Sequence, residues 1–161
     1  FSAVTRLQFY RFAYGKVKDH GEANLADKQK LAMDFFAGGK IALDWPDSHT
    51  DSAGVSISIK MARLIYNLLV IASAALIRGG TIGVRIGQDG AGKKQIAVTA
   101  KGTGLKWDDD FEKIFAGKLK IEDLNPRNVQ AYLTKRFCDE LHAAFSHHVA
   151  DDELVMQVTQ A

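Results

Sequence analysis

The sequence predicts an α/β two-layer sandwich, a mixed sheet of about five strands with three main helices on one face. Helical apolar stripes alternate along the chain with short period-two runs. Glycine-rich turns separate the strands. Hydrophobic residues make up 47% and charged residues 25% of the 161 positions, enough for one folded core.

Phe1 to Tyr14 reads as a helix apolar almost all round, with Phe9, Tyr10, Phe12 and Tyr14 crowded together. Such a helix needs neighbours on several sides, as in a bundle. A polar loop from Lys16 to Asn24 leads to a second helix, Leu25 to Ala37, stopped by Gly38-Gly39. Lys40 to Asp44 is a short strand, and Asp47 to Gly54 a loop. The longest helix is expected from Val55 to Ile77, its core stripe Ile57, Met61, Leu64, Ile65, Leu68, Ala72 and Leu76. Strands around Ile82–Ile86 and Ile96–Ala100 follow, joined as a hairpin by GQDGAGKK. Because that loop joins two strands and opens no helix, it is unlike a phosphate-binding loop.

Asp108 to Ala116 is a short helix whose leading acids suit the helix dipole. Asn125-Pro126 reads as the start of the last helix, with Val129, Leu133, Phe137, Leu141 and Phe145 recurring every four residues. A final hairpin, His147–Ala150 and Glu153–Thr159, turns at Asp151-Asp152.

Twenty-one basic against nineteen acidic residues, a net charge of +2, give no electrostatic case for nucleic acid. The apolar run Leu68–Ile77 is too short to span a bilayer. No secretory signal is visible. A single Cys138 excludes an internal disulfide and a cysteine zinc site, and fits the reducing cytoplasm. The chain opens on Phe1 without a Met, and the expectation is that it continues upstream.

Arg63 to Ile86 resembles the helix–turn–strand core of the ATP-binding domain of sensor histidine kinases, with Asn67-Leu68-Leu69 and Gly79-Gly80-Thr81-Ile82 as the shared frame. That family has a second asparagine, a hard oxygen ligand for Mg²⁺, where this chain has Ile71. Its D-x-G-x-G motif reads adenine through the Asp; here Ala100-Lys101-Gly102-Thr103-Gly104 keeps the glycines and loses the acid. A glycine-rich approach to the last helix is replaced by Leu124-Asn125-Pro126-Arg127-Asn128, and Pro126 has no amide N–H. The resemblance therefore implies a vestigial nucleotide pocket at Asn67, Ile71, Ala100, Gly102 and Gly104, and no cofactor. By its neighbours Val70, Ile71 and Ala74, Asn67 reads as a plain helix-surface residue, and Gly102-Thr103-Gly104 as a tight bend.

Over nearly the whole chain the sequence is similar to ChpT-type histidine phosphotransferases. Thr5–Gly15, Lys40–Pro46, the helix around Asn67-Leu68-Leu69, Val129–Leu133 and Val149–Glu153 carry that resemblance. It implies that residues 1–15 end the second helix of a dimerising helical hairpin and that 16–161 form a degenerate kinase-like α/β domain. The implied role is to relay phosphoryl groups between response-regulator receiver domains through a histidine, without ATP. The family's histidine sits on the first hairpin helix in a pattern like H-D-L-x-x-P. None of the five histidines here fits: His20 stands in a loop, His142 on the last helix, His147 and His148 on a strand. No catalytic residue is expected in this chain, and the phosphoacceptor is expected upstream.

Arg6, Gln8, Tyr10, Arg11 and Tyr14 are too polar for a pure core stripe. They read equally as packing against a missing helix or second protomer, and as a receiver-docking surface. An active ATP-binding kinase-type domain and a catalytically silent adaptor stand as the alternatives.

Overall fold

The computed structural model describes residues 3–16, 24–46 and 56–160, so the expected loops around His20 and Asp47–Gly54 lie outside the described residues. Helices α1 (Ala3–Tyr14) and α2 (Leu25–Phe36) come first, followed by strand β1 (Ile41–Asp44). Helix α3 (Ile59–Ala75) leads into β2 (Gly80–Gln88) and β3 (Lys94–Lys101). Then come α4 (Asp109–Phe115), a 3-10 turn (Ile121–Asp123), α5 (Val129–Glu140), β4 (Ala143–Ala150) and β5 (Glu153–Gln160).

The strands form one sheet in the order β1-β2-β3-β5-β4, with β1 parallel to β2 and every other pair antiparallel. Strict alternation buries Ile82, Val84 and Ile86 of β2, Ile96, Val98 and Ala100 of β3, and Leu154, Met156 and Val158 of β5. Register lines these into rows across the sheet, such as Val84 beside Val98 beside Met156 beside His147. The helices lie over this face, which makes the expected mixed-sheet, two-layer sandwich.

Helix α3 is the hub. Ser58 caps it by accepting from the Met61 amide at 3.1 Å. The helix thus starts at Ile59, and Ile57, expected inside it, is a fully buried residue just before it. Met61, Leu64, Ile65, Leu68 and Ala72 are fully buried.

Helix α1 shares this core on one side only. Phe9 is fully buried, stacked on Phe35 (centroids 3.9 Å apart) and on Tyr66 (4.5 Å). Val4 and Leu7 are 62% and 69% exposed, so the expected all-round burial of this helix is not what the structure has.

The last helix differs from expectation at both ends. Asn125 caps a turn rather than the helix, its Oδ1 accepting from the amides of Arg127 (2.8 Å) and Asn128 (3.1 Å). Helix α5 ends at Glu140, because His142 adopts φ +52 and the chain turns into β4. Phe145 then sits on the inner face of β4, stacked 3.8 Å from Phe115. A four-residue spacing satisfies a period of two as well as 3.6, which is why the apolar series runs unbroken from helix into strand.

Candidate functional site at the junction of helices α1, α3 and α5

Two places concentrate polar chemistry on the helical layer. The first is the seam where α1 meets α3 and α5. Asn67 is fully buried there. Its Nδ2 donates to Ala13 O at 3.0 Å and to Arg63 O at 2.9 Å, while its Oδ1 accepts from Gln130 Nε2 at 2.8 Å. Gln130 Nε2 also reaches Thr134 Oγ1 at 3.3 Å, and Gln130 Oε1 accepts from the Tyr14 hydroxyl. The helix-surface reading of Asn67 is therefore overturned. Val70, Ile71 and Ala74 continue its face of α3 along the cleft, and at Asn67 that face is covered by α1 and α5.

One turn earlier on α3, Arg63 is 7% exposed. Its guanidinium donates to Gly15 O at 3.2 Å, lies 3.7 Å from Glu140 Oε2, and stacks over the Phe137 ring at 3.7 Å. Its Nε has no partner among the described residues. Burial pulls its proton affinity down, and Glu140 partly restores it. Together Asn67 and Arg63 satisfy carbonyls at the C-terminal end of α1, which its own helix leaves open.

The second place is a cleft of about 690 Å³ between α3, α4 and α5. Val70, Ile71, Ala74, Ile77, Trp107, Phe111 and Pro126 supply its apolar wall, and Lys106, Asp108, Arg127 and Gln130 its polar part. The Asp108 carboxylate caps α4 through the Asp110 amide at 2.9 Å. Trp107 Nε1 donates to Glu112 at 2.9 Å, and Glu112 also lies 2.7 Å from His147 Nε2. Those two bonds hold the Glu112 carboxyl below its ordinary value, the His147 bond first. Among the described residues no three His, Cys, Asp or Glu side chains cluster as metal ligands.

Of the five positions assigned to a vestigial nucleotide pocket, only Ile71 lines this cleft. Asn67 is in the seam. Ala100 is fully buried in the sheet, paired with Ile82 and Leu154. Gly102 and Gly104 form a bend tied to the β4–β5 turn, their amides bonding Asp152 O at 3.0 Å and Asp152 Oδ1 at 3.2 Å. A Cβ on Gly102 would lie 2.4 Å from Gly79 O, so this bend needs glycine because two backbones touch.

The five polar positions of α1 divide between two sides. Gln8 and Arg11 line a shallow groove with Phe12, Lys28 and Leu31. Tyr10 packs edge-on against Phe9 and Phe35 and stacks on Tyr14 at 5.8 Å. Burial, with Tyr10 adding to it, pushes the Tyr14 phenol up to about 12. Arg6 is exposed. Arg63 and Gln130 escaped sequence reasoning because each finds its role through partners far away in the chain, and Thr134 because its bonds run only one turn back, to Gln130.

Among the histidines, His142 and His148 are exposed, His147 is half-buried against Trp107 and Glu112, and His20 and His49 lie outside the described residues. His147 and His148 face opposite sides of β4, so they form no ligand pair.

The sandwich defines an α/β domain of mixed sheet under helices, and residues 25–153 match the family of the histidine phosphotransferase C-terminal domain. The chain belongs to that family. It is 28% identical over 156 residues to protein phosphotransferase ChpT of Brucella abortus, which covers 96% of this chain and 71% of that protein. The structure of a bacterial phosphotransferase superposes with a TM-score of 0.79 at 27% identity, over 97% of this chain and 72% of the other. The catalytic domain of histidine kinase ThkA shares the fold, with a TM-score of 0.62 at 16% identity over 89% of this chain and 95% of that domain. No helix among the described residues is long and apolar enough to cross a membrane.

Proposed function

We propose that this chain is the body of a phosphorelay histidine phosphotransferase that receives phosphoryl groups from response-regulator receiver domains and takes none from ATP. The observation that carries this reading is the cleft between α3 and α5. Its α3 wall is Val70, Ile71 and Ala74, and Pro126 lies at the approach to α5. Isoleucine offers no lone pair to Mg²⁺, and proline offers no amide to a phosphate. The one carboxylate lining the cleft, Asp108, is engaged in capping α4.

The phosphoacceptor is a histidine outside the described residues, on a helix packed against α1. Its imidazole nitrogen attacks the receiver's aspartyl phosphate; the P–N bond forms as the P–O bond breaks, and the carboxylate departs with the electron pair. The exposed stripe Val4, Leu7 and Tyr14 on α1 supports this placement. These residues share one face at i, i+3 and i+10, and Val4 and Leu7 are left uncovered. Residues 1–15 would then end the second helix of a hairpin that pairs two protomers, with 16–161 as the α/β domain. Gln8 and Arg11, beside the groove between α1 and α2, are placed to meet a receiver.

The test uses full-length protein with Mg²⁺ in two parallel transfers, one from labelled ATP and one from a phosphorylated receiver domain. Label arriving from the receiver alone supports the reading. Label arriving from ATP overturns it.

A further inference from the structure

The seam between α1 and α3 carries more polar machinery than holding the two helices together requires. Apolar contact already does that, through Phe9 stacked between Phe35 and Tyr66 and through fully buried Ala13. Such contact is non-directional, and by itself it fixes the angle of a helix less sharply than bonds of defined geometry do. Hydrogen bonds are directional and fix geometry. Three of them end on the last turn of α1, and a fourth links their partners on α3 and α5. Arg63 bonds Gly15 O, Asn67 bonds Ala13 O, Gln130 bonds Asn67, and Tyr14 returns to Gln130.

The composition of this clamp also argues against a purely stabilising role. Arg63 is a buried cation with one nitrogen unpartnered and an ion pair only 3.7 Å in length to a half-exposed Glu140. Buried charges of this kind are commonly neutral or unfavourable compared with an apolar residue of equal size.

We propose that Arg63 and Asn67 are positioning residues that lock α1 and the α/β body into a single rigid unit of fixed angle. A receiver that touches both parts then meets a preset surface, with no orientation left to be lost on docking. The kinetic half of this inference rests on the phosphorelay reading above; the geometric half does not.

Distances are read in full-length protein carrying spin labels at A3C and S146C, both exposed, with labelled chains diluted in unlabelled protein so that only intrachain distances are read, and kinetics are read in unlabelled protein. Arg63→Met keeps bulk beside Phe137 and removes the bond to Gly15; Asn67→Leu removes the second arm. The expected parent distribution is single and narrow, and its width at least doubles in Arg63→Met. Thermal unfolding of Arg63→Met stays cooperative, with an unchanged or higher Tm. KM for a phosphorylated receiver rises about fivefold or more while kcat stays within about twofold, and Arg63→Lys, which keeps a donor for Gly15, recovers part of the loss. If Asn67→Leu fails to fold, Arg63→Met decides alone. A distribution already broad in the parent, or equally narrow in Arg63→Met, overturns the clamp. So does a fall in kcat at constant KM. If no receiver labels the parent protein, the phosphorelay reading fails, and the widths still judge the clamp.

Discussion

Glu112 on α4 and His147 on β4 meet at 2.7 Å, and the same carboxylate oxygen accepts the Trp107 indole N–H. One exposed side chain thus ties the short helix to the edge strand and holds the indole against the cleft. Because these bonds depress the Glu112 carboxyl, their contribution to stability is full above its ordinary value of 4.5 and fades as pH falls through the lower folded value. Glu112→Gln should lower Tm by on the order of 1–3 °C at pH 7, as a largely exposed pair would. The difference from the parent should be smaller well below pH 4.5 than at pH 7. Melting curves at the two pH values check this.

Phe9 is the side chain on which α1 depends most, being fully buried between two stacked rings. Phe9→Ala should cost about 3–5 kcal/mol. Urea unfolding measures it, and a loss below about 1 kcal/mol would mean that α1 is not part of the core.

Two backbones touch where the Gly79-Gly80 turn meets the bend at Gly102. A Cβ at Gly80 would stand 2.1 Å from Lys101 O at φ +144, and one at Gly102 would stand 2.7 Å from the Leu76 side chain. Gly80→Ala and Gly102→Ala should each destabilise by about 2 kcal/mol or more, whereas Gly90→Ala, with open space around it, should be neutral within about 0.5 kcal/mol. Equal effects at all three positions would contradict the close approach.

The legible part of the fold was its alternation. Ile82, Val84 and Ile86 and their partners on β3 announce a half-buried hairpin, and the α3 stripe from Met61 to Ala72 is entirely core. What remained illegible depends on distance along the chain. Asn67 shares a helix face with Val70, Ile71 and Ala74, which hints at packing, but the partners that make it a buried junction lie 54 and 63 positions away and leave no local mark. The end of α5 was hidden because Leu141 and Phe145 continue a spacing that a helix and a strand both accept.

Cys138 offers a check on the burial of α5. Enclosure, with Asp139 adding to it, pushes its thiol up to about 12, so the nucleophilic thiolate is nearly absent at neutral pH. Maleimide at pH 8 should leave Cys138 unmodified in the folded protein and label it fully in urea, read by intact mass. The raised value also implies a stabilising contribution that is complete below the thiol's ordinary value of 9.0 and lost as pH climbs towards 12.

If the stripe on α1 is covered by a bundle partner, Leu7→Glu should shift full-length protein from dimer towards monomer in sedimentation while the α/β domain unfolds at an unchanged temperature. Leu7 is 69% exposed, so the α/β core loses nothing by the change.

The helix that opens the described chain is completed by side chains belonging to another helix roughly fifty residues later. Carbonyls of Ala13 and Gly15 that α1 cannot satisfy itself are satisfied by Asn67 and Arg63. Because both acceptors are main-chain oxygens, any α1 sequence presents them, and a chimera that joins the hairpin of one relative to the α/β domain of another keeps them satisfied wherever its α3 carries Asn and Arg at these positions. The demand made by these bonds thus falls on the sequence of α3, while they leave α1 free to vary at the positions whose oxygens it lends.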